Sequence, residues 1–140
     1  MDRVSVWDHN VDATCGLCNA SPESRNHLFF GCSYSSQLWE YLSYGLLRSS
    51  YSNDWSSIMP LLCQDDKGRK WSFCIRYAFQ ACLYAIWRER NKIKHGERAT
   101  PVTILKKLVA KSIRNKLSLI ENYRRKGMEG VLIFWFEARS

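Results

Sequence analysis

At 140 residues the chain has the length of a single domain, and its 46% hydrophobic content excludes a disordered protein. No apolar run reaches the roughly 18 residues that a membrane-spanning helix needs. The net charge of +8 divides into −4 over residues 1–68 and +12 over residues 69–140, and a basic half of this kind favours a polyanionic partner. Solvated helices also carry many lysines and arginines, so charge alone leaves both interpretations open.

The first 14 residues are predicted to be irregular or partly helical, with Val4, Val6 or Trp7 available for packing. They lack the apolar core of a signal peptide. We therefore expect an intracellular protein, nuclear or cytoplasmic and not secreted, with reduced cysteines. His9 is interpreted as a surface histidine because the motif that follows already supplies four metal ligands.

Four side chains of the two types that zinc prefers are spaced as Cys15-x2-Cys18-x8-His27-x4-Cys32. Zinc takes four such ligands in closed, structural sites, and Cys3His is one of its usual sets. Gly16 is expected to allow an unusual backbone angle between the first two ligands. The apolar Leu28, Phe29 and Phe30 are expected to shield the metal from water.

These cysteines could also form a redox-active pair or a disulfide framework. A redox-active Cys-x-x-Cys pair is typical of a βαβ context, which this sequence does not show. A disulfide framework requires an oxidising compartment. One structural Zn²⁺ is the prediction that we carry forward.

Two shorter helices are predicted after the metal motif. The first begins at Ser33 or Ser35, either of which is a favourable N-cap. Its apolar residues recur at helical spacing and are Leu38, Trp39, Leu42, Leu46 and Leu47. We expect Trp39 to be a core residue rather than a platform for a nucleobase. The second helix runs over 54–63, and Pro60 is expected to break it.

A longer helix over 69–95 follows a polar linker at 64–68. It carries one apolar stripe made of Trp71, Cys74, Ile75, Ala78, Cys82, Ala85 and Ile86. Gly96 is placed to end it. We interpret Cys63, Cys74 and Cys82 as small buried residues, since no second Cys-x2-Cys spacing accompanies them.

The last predicted helix begins with Thr100 as N-cap and Pro101 at its first position. It runs to about Arg125, and Gly127 is expected to end it. Its inward residues are Val102, Leu105, Val109, Ile113 or Ser112, Leu117 and Ile120. The apolar segment Val131–Phe136 follows, and the sequence does not decide between a strand, a helical turn and an exposed docking segment.

The metal motif resembles the reverse-transcriptase zinc-binding domain of plant LINE-type (non-LTR) retrotransposon polyproteins. The matching residues are Cys15, Leu17, Cys18, Glu23, Ser24, His27, Leu28, Phe29, Phe30, Cys32 and Trp39. A second block, Ile86–Asn91, is similar to one that often follows in these elements. The resemblance implies a zinc segment that helps a reverse transcriptase engage its template or target.

Basic residues on the two long helices are the expected phosphate contacts. They are Arg88, Arg90, Lys92, Lys94, Lys106, Lys107, Lys111 and Arg114. No convergent carboxylates suggest a polymerase, nuclease or RNase H, because Asp65 and Asp66 lie in the polar linker. A nucleophilic pair of Cys32 and His27 would compete with metal binding. We therefore expect no enzyme and no small-molecule substrate.

The predicted fold is mainly α, with a small zinc-stapled loop followed by an array of about four helices. Residues 1–64 and 69–140 are expected to pack as one domain. The leading hypothesis is a non-catalytic zinc module that binds RNA or DNA without sequence specificity. The alternatives are a protein-interaction module that uses Val131–Phe136, and a retroelement remnant without selected function.

Overall fold

The computed structural model of the chain describes residues 14–19, 23–24, 27–64, 66–123 and 126–139. They form five α-helices: α1 (Ser33–Leu47), α2 (Trp55–Leu62), α3 (Arg69–Lys94), α4 (Val102–Asn122) and α5 (Val131–Arg139). A π-helical turn at His27–Gly31 precedes α1, and a 3₁₀ turn at Arg48–Ser50 follows it. Because these ranges contain no strand, the prediction of a mainly α fold is confirmed. The predictions made for Val4, Val6, Trp7 and His9 lie outside the described residues.

Helix α1 is the central element, since α3, α4 and α5 all pack against it. Its apolar stripe is buried as the helical spacing predicts, and Trp39 is fully buried in the core. The Trp39 indole donates a hydrogen bond to the Ser52 carbonyl 2.8 Å away, which satisfies its only donor. The core is continuous from Cys15 in the metal loop to Trp135 in α5.

The two shorter helices begin where the sequence predicts, but the serine cap of the first and the break in the second are wrong. Helix α1 begins at Ser33, as expected, but its N-cap is Cys32 and no serine hydroxyl caps it. Helix α2 is capped by the Asp54 side chain and continues through Pro60. The predicted break at Pro60 is wrong, since the helix includes Pro60 and ends at Leu62.

Thr100 was predicted to cap α4, and it does not. Its hydroxyl accepts a hydrogen bond from Lys92 Nζ at 2.9 Å, and its backbone N–H donates to the Glu89 carboxylate. Its carbonyl accepts from the Tyr34 hydroxyl, and burial of that phenol raises the pKa of Tyr34. Thr100 therefore joins α1 to the turn between α3 and α4, while Pro101 occupies the N-cap position.

The end of α3 agrees with the prediction. Gly96 has a φ of 85°, its N–H donates to the Ile93 carbonyl, and the Glu97 N–H donates to the Lys92 carbonyl. These two bonds are those of a Schellman motif, which requires a left-handed residue that glycine adopts without strain. Helix α4 ends at Asn122, so the prediction that Gly127 ends it is wrong.

The segment Val131–Phe136, which the sequence left undecided, is helical and opens α5. Val131 and Trp135 are fully buried, whereas Ile133 and Phe136 are 62% and 48% exposed. Helix α5 lies so close to α1 that a Cβ on Gly45 would come within 2.4 Å of the Arg139 Cα. Glycine is therefore required at this crossing of two backbones.

The three cysteines outside the metal motif do not share one environment. Cys74 and Cys82 are fully buried in α3, as predicted. Cys63 is exposed after α2, so its interpretation as a buried residue is wrong. No helix in the described part of the chain is long and apolar enough to cross a membrane.

Candidate metal centre

The first two metal ligands are presented by a tight turn. The Asn19 N–H donates to the Cys15 carbonyl at 2.8 Å, and Asn19 has the left-handed φ of 56° that closes the turn. Gly16 does not have a positive φ, so its predicted role is wrong. A Cβ at Gly16 would lie 3.2 Å from Ile93 Cγ2, and the missing side chain allows the turn to lie against α3.

The second two ligands are presented by the π-helical turn. Ser24 prepares it, because the Ser24 hydroxyl and carbonyl accept hydrogen bonds from the N–H groups of His27 and Leu28. The Cys32 N–H then donates to the His27 carbonyl at 2.7 Å, five residues back. An α-helix would turn residues five apart by about 140° relative to each other, whereas the wider π turn brings both side chains towards one side.

The four side chains meet at one point. Cys15 Sγ lies 3.8 Å from Cys32 Sγ, and Cys18 Sγ lies 3.2 Å from His27 Nε2. All four potential ligand atoms lie within 4.8 Å of one another. A tetrahedron with Zn–S bonds of about 2.3 Å has S···S edges of about 3.8 Å, so the donor set and its spacing fit zinc.

Residues 1–39 match a family model described as zinc-binding in reverse transcriptase. All four ligands of the candidate zinc site lie inside this segment, as does the buried Trp39. The second block of the resemblance, Ile86–Asn91, lies outside it. No curated protein and no solved structure matches the chain.

The protonation state of the Cys15 thiol depends on its burial. Burial raises the pKa of the Cys15 thiol from 9.0 to about 12. The metal-free thiol is therefore protonated at neutral pH, and zinc must displace its proton.

A buried ion pair attaches the zinc loop, the segment from Cys15 to Cys32 that carries the four candidate ligands, to α3. Arg90 Nε donates to the Glu23 carboxylate, and both side chains are at least 94% buried. Arg90 also lies over the Trp87 ring, 5.0 Å from its centroid. Glu23 belongs to the first block of the resemblance and Arg90 to the second, so this contact joins the two blocks in space.

Aromatic packing holds the other side of the loop. The Phe30 ring lies 5.5 to 5.7 Å, between centroids, from the rings of Trp39, Trp55 and Phe79. Phe30 and Leu28 are both buried. These contacts fix the histidine arm of the site to the helical core, a role beyond the shielding that the sequence predicted.

The residues predicted to contact phosphate fall into different environments. Arg88, Lys94, Lys107 and Lys111 are exposed, while Lys92, Lys106 and Arg114 are half-buried. Lys106 Nζ lies over the Tyr41 ring of α1, 5.7 Å from its centroid. Arg90 is paired with Glu23 in the interior, so it is not placed to contact phosphate.

Sequence reasoning missed the contacts that hold the loop in place. The Glu23–Arg90 pair and the Gly16–Ile93 contact each join residues far apart in the chain. Glu23 and Arg90 were singled out only as parts of the resemblance. Because these two residues carry opposite charges, the sequence offered that one indication of an ion pair between the two blocks.

Proposed function

We propose that the protein is a zinc-dependent nucleic-acid-binding module of retrotransposon origin, derived from a plant LINE-type element, with no catalytic activity of its own. It holds one structural zinc ion through Cys15, Cys18, His27 and Cys32 and acts inside the cell, in the nucleus or cytoplasm. The observation that carries the proposal is the convergence of these four ligand atoms within 4.8 Å in a segment matched to reverse-transcriptase zinc binding.

The basic half of the chain supports nucleic acid as the partner. Its net charge of +12 is concentrated on α3, α4 and the turns beside them. Arg88, Lys94, Lys107, Lys111 and Lys116 are exposed on the two long helices. Such side chains attract phosphates without reading base sequence, so we expect little preference among sequences.

The ligand count supports the proposal that the zinc ion has no catalytic role. Four protein ligands complete the tetrahedral coordination of a structural zinc, whereas catalytic zinc sites keep one position open for water or substrate. The zinc in this protein would then stabilise the loop and the start of α1, and the basic surface would carry the binding.

The test is a titration of zinc-loaded protein with a labelled oligonucleotide at increasing salt. Each phosphate contact contributes a log–log slope of about −0.9 on duplex DNA and about −0.7 on single strands. The variant Lys107→Glu/Lys111→Glu should flatten the slope by about one such step for each lost contact. Lys67→Glu/Lys126→Glu changes the net charge equally at positions outside α3 and α4, the helices that carry most of the positive charge, and should leave the slope nearly unchanged.

The proposal fails if the wild-type protein does not bind at low salt. It also fails if both double variants flatten the slope equally, because net charge alone would then explain the attraction. These two outcomes would give the lead to a second candidate function, protein interaction through the exposed Ile133 and Phe136 of α5. That candidate is tested by Ile133→Ser/Phe136→Ser in size-exclusion chromatography, where the wild type alone should associate.

A further inference from the structure

An open groove of about 430 Å³ runs between α3 and α4. Tyr77, Tyr84 and Arg88 line its α3 side, and Leu108 lies on its α4 side. A volume of this size falls in the range of pockets that hold small organic groups. The zinc site does not contribute to the groove, so the groove is a separate feature of the basic half.

Tyr84 is the side chain best placed to receive a flat ligand. It lines the groove, and 64% of its surface is exposed to solvent. The guanidinium of Arg88 lies 5.7 Å from the centroid of the Tyr84 ring. Tyr77, two helical turns earlier, is half-buried and stacks on Phe73 with an interplanar angle of 5°. Tyr84 therefore keeps most of its surface open to solvent, with the Arg88 guanidinium over its ring.

The same groove combines charge with hydrogen-bonding groups. Arg88 and Lys92 lie together in its lining, and Gln80 and Ser112 add neutral donors and acceptors. The acidic group there, Glu89, is 4% exposed. Its carboxylate accepts hydrogen bonds from the Thr100 N–H and Lys92 Nζ, so it is held inside the protein and partly neutralised. The groove favours an anion that carries a flat, polar-edged ring.

We propose that this groove binds single-stranded nucleic acid, with an unpaired base stacked on Tyr84 and a neighbouring phosphate contacted by Arg88. In a duplex the base faces are covered by their neighbours, whereas a single strand offers them to aromatic side chains. The inference rests on the proposed nucleic-acid-binding function and specifies the form of nucleic acid that it takes.

The experiment uses full-length, zinc-loaded protein and fluorescence anisotropy with labelled oligo(dT), oligo(rU) and a duplex, each of about 12 nucleotides or base pairs. Tyr84→Ala should weaken binding to both single strands by about 5- to 150-fold, which corresponds to the roughly 1–3 kcal/mol typical of base–aromatic stacking. Tyr84→Phe keeps the ring and should bind as the wild type does. Tyr123→Ala is the matched control, because Tyr123 is 77% exposed at the end of α4 and does not line the groove.

Salt dependence separates stacking from charge. Between about 50 and 200 mM salt, Tyr84→Ala should lower affinity with an unchanged log–log slope, because stacking releases no counterions. Arg88→Gln should instead reduce the slope by about 0.7 on a single strand. A comparison of oligo(dT) with oligo(rU) shows whether the 2′-hydroxyl contributes.

The outcomes distinguish the two proposals. No binding by the wild type at any salt defeats the proposed function and this inference together. Wild-type binding that Tyr84→Ala weakens no more than Tyr123→Ala does defeats this inference alone. Equal loss in Tyr84→Ala and Tyr84→Phe, or equal loss on duplex and single strand, also overturns base stacking. Thermal unfolding of each variant checks that the fold is intact.

Discussion

The Glu23–Arg90 ion pair provides a quantitative test of how the zinc loop is held. Both side chains are at least 94% buried, and the pair joins the loop to α3. Replacing Arg90 by Met leaves the Glu23 carboxylate buried without its partner. Breaking one side of a buried pair costs about 3–5 kcal/mol, which is a large fraction of the roughly 5–15 kcal/mol by which such domains are stable.

The expected effect is therefore large in thermal unfolding. At about 3–4 °C for each kcal/mol in a domain of this size, Arg90→Met should lower Tm by about 10–20 °C. Glu23→Leu should cost a similar amount, because the Arg90 guanidinium then loses its counterion. Combining the two removes both buried charges, and apolar replacement of a whole pair is often close to neutral. The double variant should therefore be more stable than either single variant.

The assay is urea unfolding of the zinc-loaded proteins, with zinc affinity measured in parallel by competition with a chelating dye. If the pair positions the loop, both single variants should also bind zinc more weakly, and the double variant should recover part of that affinity. A cost below about 1 kcal/mol for Arg90→Met would refute the argument, since surface pairs have that magnitude. Additive losses in the double variant would refute it as well.

Three further predictions follow from the metal site and the packing. Metal analysis should find one zinc per chain and less in Cys18→Ser. Chelation should unfold the loop that carries the four ligands and leave most far-UV helical signal, because metal binding supplies the folding free energy of that loop. Gly45→Ala should destabilise the protein by about 1–3 kcal/mol in urea unfolding, because the new Cβ would meet backbone atoms of Arg139 and Ala138 at 2.4 and 2.6 Å. Alanine has a helix-propensity advantage of about 1 kcal/mol over glycine, and a net stabilisation of that size would contradict this contact. Burial raises the pKa of the Cys74 thiol from 9.0 to about 12 and also raises that of Cys82. As pH rises, these thiols therefore ionise in the unfolded state before they ionise in the folded state. The free energy of unfolding should be unaffected by them below pH 9 and should fall above it by up to about 1.4 kcal/mol per pH unit per thiol. Cys74→Ala/Cys82→Ala should flatten that decline between pH 8 and 10, and an identical decline in both proteins would show that other groups cause it.

Local patterns were sufficient for the two long helices and for the identity of the metal ligands. The stripe from Trp71 to Ile86 repeats at the helical period, and its residues are buried in α3. Gly96 ends that helix because the C-terminal capping motif needs a residue with left-handed backbone angles just after the last turn, which is a local requirement. The spacing of Cys15, Cys18, His27 and Cys32 predicted a set that the fold brings within 4.8 Å. Each of these features depends on residues that are close together in the sequence.

Contacts between distant residues were decided only by the tertiary structure. Thr100 has the residue type of an N-cap, but the nearby Lys92, Glu89 and Tyr34 occupy its polar groups. Val131–Phe136 is apolar throughout, so it has no hydrophobic periodicity that could indicate a helix or a strand. In the structure it forms a helix that packs against α1 and α4 and buries two of its side chains fully.

The same distinction explains the metal loop. Its ligands could be identified from spacing, because zinc limits which side chains it accepts. The position of the loop could not, because it depends on Arg90 lying 67 residues from Glu23 and on the absence of a side chain at Gly16 opposite Ile93. The sequence by itself therefore determined the chemistry of the centre and the long helices. Only the packing of the chain decided what holds that centre in place, because those contacts form between segments that no local pattern relates.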